Sequence, residues 1–89
     1  MATFVLVHGG GHGGWCYQLV ARRLQALGHV VYAPSLPGMG EHTGELRPGI
    51  DLDTHCDAVA ALLQWEDLHD AILVGHSYAG LVIGRVADR

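Results

Sequence analysis

The sequence predicts an α/β fold: three parallel strands in the spatial order second–first–third, with helices on both faces, in a three-layer βαβαβα arrangement. Three observations predict it. Apolar runs of strand length at residues 3–8 (TFVLVH), 29–33 (HVVYA) and 71–75 (AILVG) alternate with stretches of helical periodicity. The runs are continuous rather than alternating apolar and polar, as in strands covered on both faces. Glycine or proline closes each run, and strictly alternating strands and helices imply right-handed crossovers between parallel strands.

The first strand, residues 3–8, is rich in β-branched and aromatic residues and runs into Gly9-Gly10-Gly11-His12-Gly13-Gly14, a loop with backbone freedom and little side chain. Residues 15–27 read as the first helix, where Cys16, Leu19 or Val20, Leu24 and Leu27 form one apolar stripe. Gly28 ends that helix at the position where a left-handed residue is favoured. The second strand, residues 29–33, stops at Pro34. Residues 34–51 hold all three prolines and four glycines, an irregular connection long enough to be a functional cover or a mobile segment. The second helix spans residues 51–66, with Leu52, Cys56, Val59 and Leu63 on one face and Asp51, Asp53 and Thr54 suited to cap and charge its first turn. The third strand, residues 71–75, leads through His76-Ser77 into a helix at residues 78–87. In the order second–first–third this most apolar strand occupies an open edge, a site for pairing with another chain.

Composition narrows the function classes. Eighty-nine residues make one small domain, able to bury roughly 60–65% of its unfolded surface. At 49% hydrophobic residues the chain is more apolar than a soluble domain of this size requires, which implies surface that something else covers. The net charge of −4 arises from nine acids against five arginines, without a lysine. No basic cluster exists to bind a nucleic acid, and a phosphate loop lacks its lysine. Cys16 and Cys56 read as small buried residues or free thiols of a reducing compartment. No segment reaches the roughly 18 apolar residues of a membrane span, so the expected location is cytoplasmic.

The chemistry resides in two loops. Gly75-His76-Ser77-Tyr78-Ala79 follows a strand and precedes a helix, the context of a nucleophile elbow. Such a turn exposes the Ser77 hydroxyl and aims the Tyr78 N–H at whatever binds there. The fifth position is Ala79 rather than glycine, still small enough for close strand–helix approach. The glycine-rich loop after the first strand lets the Gly10 N–H face a ligand, and together the two N–H groups suit a developing oxyanion. Gly9, His12 and His76 are candidate pocket residues, although His76, adjacent to Ser77, is expected to point to the other face as a packed core-edge histidine. Gly9, Gly11 and Gly14 formally match a dinucleotide fingerprint, but the second strand ends Tyr32-Ala33-Pro34-Ser35 without the acid that ribose hydroxyls require. Seven histidines show no zinc-site spacing, so neither a metal nor a cofactor is expected.

The stretches FVLVHGGGHGGWCY, GHVVYAPSLPGMGE, DLDTH and EDLHDAILVGHSYAGLVIGRVADR resemble the amino-terminal part of an α/β-hydrolase. More narrowly, they are similar to the esterase and hydroxynitrile-lyase branch that includes plant methyl-ester esterases. The resemblance implies that Ser77 is the nucleophile, that the Gly10 and Tyr78 N–H groups form the oxyanion hole, and that the substrate is a small carboxylic ester. Gly9 stands where the lyases carry a threonine, and their active-site lysine has no counterpart, which favours ester hydrolysis over cyanohydrin cleavage.

In this family the triad acid and histidine follow the serine in the chain, on loops after later strands, and a cap shapes the acyl pocket. Residues 1–89 therefore read as a single truncated hydrolase-like domain lacking base, acid and cap. Three expectations follow. A complementary hydrolase half supplies the triad partners; or the chain is an inert half-fold that self-associates through its third strand; or a homo-oligomer lends His12, His42 or His55 to Ser77.

Overall fold

The computed structural model describes residues 1–88. Strands β1 (Thr3–Val7), β2 (Val30–Tyr32) and β3 (Ile72–Gly75) alternate with helices α1 (Gln18–Ala26), α2 (Leu52–Trp65) and α3 (Ala79–Ala87). The sheet is parallel throughout in the order β2-β1-β3, as the sequence predicts. Because the chain steps from β1 outward to β2 and then back across to β3, right-handed crossovers place α1 and α2 on opposite faces. Helix α3 packs against α2.

The core lies on the α2/α3 face. Val5 and Val7 point into it from β1 and meet Cys56 and Val59 of α2, Ala79, Val82 and Val86 of α3, and Leu36 from the long connection. Leu52 and Leu63 of the predicted α2 stripe pack on its margin. The start of α2 closes reciprocally: the Asp51 carboxylate accepts from the Thr54 N–H at 3.0 Å, and the Asp51 N–H donates to the Thr54 hydroxyl at 3.2 Å. Two of the four unpaired donors at a helix start are so satisfied or braced, which anchors the helix entry.

The first helix departs from its predicted form. Residues Gly14–Tyr17 make a separate 3-10 turn, and α1 begins only at Gln18. Its predicted stripe is largely uncovered: Cys16 is exposed, as are Leu19 at 78% and Leu27 at 74%. The cause is topological, since α1 stands alone on its face and packs on β2. Its end does follow the sequence. Gly28, at φ +91°, lets its own N–H reach the Gln25 carbonyl and the His29 N–H reach the Leu24 carbonyl, both at 3.0 Å.

The connection after β2 contains one further 3-10 turn, Gly40–Glu45. Leu36, fully buried, plugs it into the core. On β3, Leu73 joins the α2/α3 core while Ile72 and Val74 stay exposed on the opposite face, beyond the reach of α1.

Candidate active site

The strand order reverses at β1, with β2 on one side and β3 on the other, and open α/β sheets bind ligands in the crevice at such a point, outside the carboxyl ends of the strands. Val7 pairs with Gly75, so the loops leaving both strands emerge side by side. The His76 N–H donates to the Val7 carbonyl at 3.3 Å, and the Tyr17 hydroxyl donates to that same carbonyl at 2.9 Å. Burial is the main reason the Tyr17 phenol titrates above its ordinary value, and it therefore keeps the proton it donates.

Ser77 has φ +58°, in the left-handed region. A non-glycine residue there is strained by roughly 1–2 kcal/mol. The turn is held by short-range bonds: the Ala79 N–H to the His76 carbonyl at 3.1 Å and the Gly80 N–H to the Ser77 carbonyl at 2.9 Å. Gly75 is required by packing, because a Cβ there would lie 2.8 Å from the Ala79 carbonyl oxygen. Ala79 is fully buried and takes the small-residue role, whereas a side chain at Gly80 would meet open space. The departure from glycine at the fifth position is thus accommodated where the helix meets the strand.

Ser77 is exposed, and among the described residues its hydroxyl has no hydrogen-bonded base. The Gly10 and Tyr78 N–H groups donate to no acceptor among those residues. Gly9 is buried, and a Cβ on it would lie 3.1 Å from both the His76 carbonyl oxygen and its Nδ1, and 3.5 Å from the Ser77 Cβ. As a pocket candidate Gly9 therefore acts through its lack of a side chain, letting the first loop close on the elbow.

His76 differs from expectation. It is exposed, and its ring stands edge-on to His12 with centroids 6.5 Å apart, while His12 lies 6.1 Å from Trp15. The cause is that His76 takes the face opposite the α2/α3 core, the same face on which Ile72 and Val74 stay exposed. His76, His12 and Trp15 thus form a row of rings that starts at the residue next to Ser77, and Trp15 read in the sequence only as the start of a helix. No enclosed pocket surrounds the serine among the described residues, and no three His, Cys, Asp or Glu side chains cluster as metal ligands there.

The other histidines are committed. His42 bonds Glu45 at 2.6 Å. His55 is buried, with Nδ1 2.7 Å from the Tyr78 hydroxyl and Nε2 3.0 Å from the Pro37 carbonyl. Both nitrogens are thus occupied within the chain, and His55 cannot be lent to a neighbouring Ser77. Gly14, the last glycine of the formal dinucleotide match, has a packing role: a Cβ would overlap the Ala33 carbonyl, and its N–H donates to the Ser35 hydroxyl at 2.8 Å. Ser35 in turn donates to Glu41, whose carboxyl is held below its ordinary range chiefly by that bond.

Comparison with known proteins identifies the family and agrees with the fold. The sequence pattern of the alpha/beta hydrolase family matches residues 4–89. A carbendazim hydrolyzing esterase from Nocardioides sp. (strain SG-4G) is 48% identical over 89 residues, covering 100% of this chain and 37% of that protein. Methylesterase 4 of Arabidopsis thaliana is 37% identical over 87 residues, covering 96% of this chain and 33% of that protein. Among solved structures, an extracellular alpha/beta-hydrolase from a Paenibacillus species superposes with a TM-score of 0.88 at 33% identity, over 98% of this chain and 35% of that one. The chain thus spans about a third of the length of the relatives it matches. With its parallel β2-β1-β3 sheet and the strained serine turn after β3, the chain belongs to the alpha/beta hydrolase family.

Proposed function

We propose that residues 1–89 supply the nucleophile and oxyanion donors of a serine esterase acting on small carboxylic esters. Ser77 Oγ bonds to the ester carbonyl carbon, and its proton passes to a base that lies outside these residues. The carbonyl oxygen, now negatively charged, accepts from the Gly10 and Tyr78 N–H groups. Collapse of the tetrahedral species expels the alcohol, which takes up the proton, and water then releases the acid. A preorganised donor of this kind is worth about 3–4 kcal/mol at the transition state.

The observation that supports the reading best is Ser77 at φ +58° beside a glycine loop with an unengaged N–H. The relatives named as esterases support the reaction class. Gly9 favours hydrolysis over cyanohydrin cleavage, because it offers no hydroxyl at the position where the lyases carry a threonine.

The test is steady-state hydrolysis of short-chain p-nitrophenyl esters by the complete polypeptide that carries this segment. Ser77→Ala is expected to lower kcat by about 10⁴-fold or more, as loss of a nucleophile does in serine hydrolases. Equal turnover by the variant would refute the assignment.

A further inference from the structure

Two buried histidines on different elements grip neighbouring residues of one loop. His8, fully buried at the end of β1, receives the Leu36 N–H at Nε2 over 2.9 Å. An N–H can only donate, so Nε2 is the unprotonated nitrogen and Nδ1 bears the hydrogen. That Nδ1–H points at the Gly9 carbonyl, 2.7 Å away. His55, on α2, has the opposite assignment. Its Nε2 faces the Pro37 carbonyl at 3.0 Å, an acceptor only, so Nε2 bears the hydrogen and neutral Nδ1 accepts from the Tyr78 hydroxyl at 2.7 Å. Burial, before the neighbouring Cys56 and Asp51, raises the Tyr78 phenol above its ordinary pKa, in keeping with its role as donor.

These bonds join end to end. Gly9 accepts from His8, His8 accepts from Leu36, Pro37 accepts from His55, and His55 accepts from Tyr78. One end of the path is the peptide unit whose carbonyl belongs to Gly9 and whose N–H belongs to Gly10. That unit is planar and trans, so fixing the carbonyl fixes the N–H in the opposite direction. The His12 N–H, 3.3 Å from the same carbonyl, adds a second restraint. The other end is Tyr78, whose own N–H is the second donor toward the candidate oxyanion.

We infer that His8 and His55 are positioning residues that lock the two oxyanion donors to a shared strut, Leu36-Pro37. Neither touches the substrate. The inference rests on the assignment of Gly10 and Tyr78 as those donors. It gives the irregular connection after β2 a function: its first residues set the spacing between the two halves of the hole, and the buried Leu36 side chain anchors the strut in the core.

Amide isosteres separate the two bonds of each ring. Asparagine places its amide near Nδ1 and glutamine near Nε2. His8→Gln thus retains the Leu36 bond and loses Gly9, while His8→Asn does the reverse. His55→Gln retains Pro37 and loses Tyr78, while His55→Asn does the reverse. In the complete polypeptide, with p-nitrophenyl acetate as substrate, both Gln variants are expected to lose about tenfold or more in kcat with KM little changed, a fraction of the loss when a donor is deleted outright. Both Asn variants, which cut the bond to the strut instead, are expected to lose kcat to a comparable extent. Losses in kcat that merely track melting temperature across the four variants, or full kcat with either bond of a ring broken, would overturn the inference.

A second readout needs no turnover. Nitrogen-15 NMR of the unsubstituted protein is expected to show the Nδ1–H tautomer for His8 and the Nε2–H tautomer for His55, and either in another form overturns the bond path. If the unsubstituted protein hydrolyses no ester, the esterase reading fails, and the tautomers alone decide whether the strut exists.

Discussion

At the scale of single residues, the candidate site combines strain with restraint. Ser77 occupies a left-handed conformation in which a Cβ is unfavourable. Removing the Cβ therefore relieves the strain, and removing only the hydroxyl does not. Ser77→Gly is expected to be more stable than Ser77→Ala by about 1 kcal/mol in urea unfolding, although both lack the proposed nucleophile. Equal stability would mean that the elbow stores no strain. The sequence made the glycine positions legible here because each answers a local steric demand. Gly75 clears the Ala79 carbonyl, Gly9 clears the His76 carbonyl and ring, and Gly28 turns the helix end. His76 keeps the strand's alternation of faces, but it is exposed rather than packed because the face it shares with Ile72 and Val74 is left uncovered. His8 and His55 gave no sequence signal for their bonds, since both reach partners in the loop after β2, 28 and 18 residues distant.

At the scale of elements, the helix α2 follows its sequence most closely. Its face of Leu52, Cys56, Val59 and Leu63 is the one buried, and its cap is the predicted Asp51 with Thr54. The Asp51 carboxyl titrates below its ordinary 3.8, first because of the Thr54 N–H and then the Thr54 hydroxyl. A carboxyl depressed in the folded state stabilises the fold fully above its unfolded value and loses that contribution as pH falls through the folded value. Asp51→Asn keeps a capping oxygen without the charge. The wild type is expected to exceed this variant in stability at about pH 6 and to lose the advantage by about pH 2. A difference independent of pH would show that charge contributes nothing at this cap. Helix α1 followed its sequence least. Its apolar stripe is real as a pattern, but a stripe is buried only where another layer meets it, and α1 meets β2 alone.

At the scale of the whole molecule, exposed apolar surface concentrates on the sheet face and edge away from the α2/α3 core. Ile72 and Val74 stay exposed on the face of β3 opposite the α2/α3 core, and the outer edge of β3 pairs with no strand among the described residues. Residues 1–89 by themselves are expected to self-associate through this strand, with light scattering at micromolar concentration giving at least twice the monomer mass; a monomer would contradict that expectation. The fold order and both loops could be read from the chain because local glycine chemistry and strand–helix alternation encode them. A base for Ser77 could not, because the triad proposed for it would be a meeting of distant segments. The central claim, that Ser77 is a nucleophile awaiting a base, is tested most directly by intact mass after fluorophosphonate treatment of the complete polypeptide and its Ser77→Ala variant. The account predicts one stoichiometric adduct that disappears in the variant. An unlabelled protein, or equal labelling of both, would contradict it.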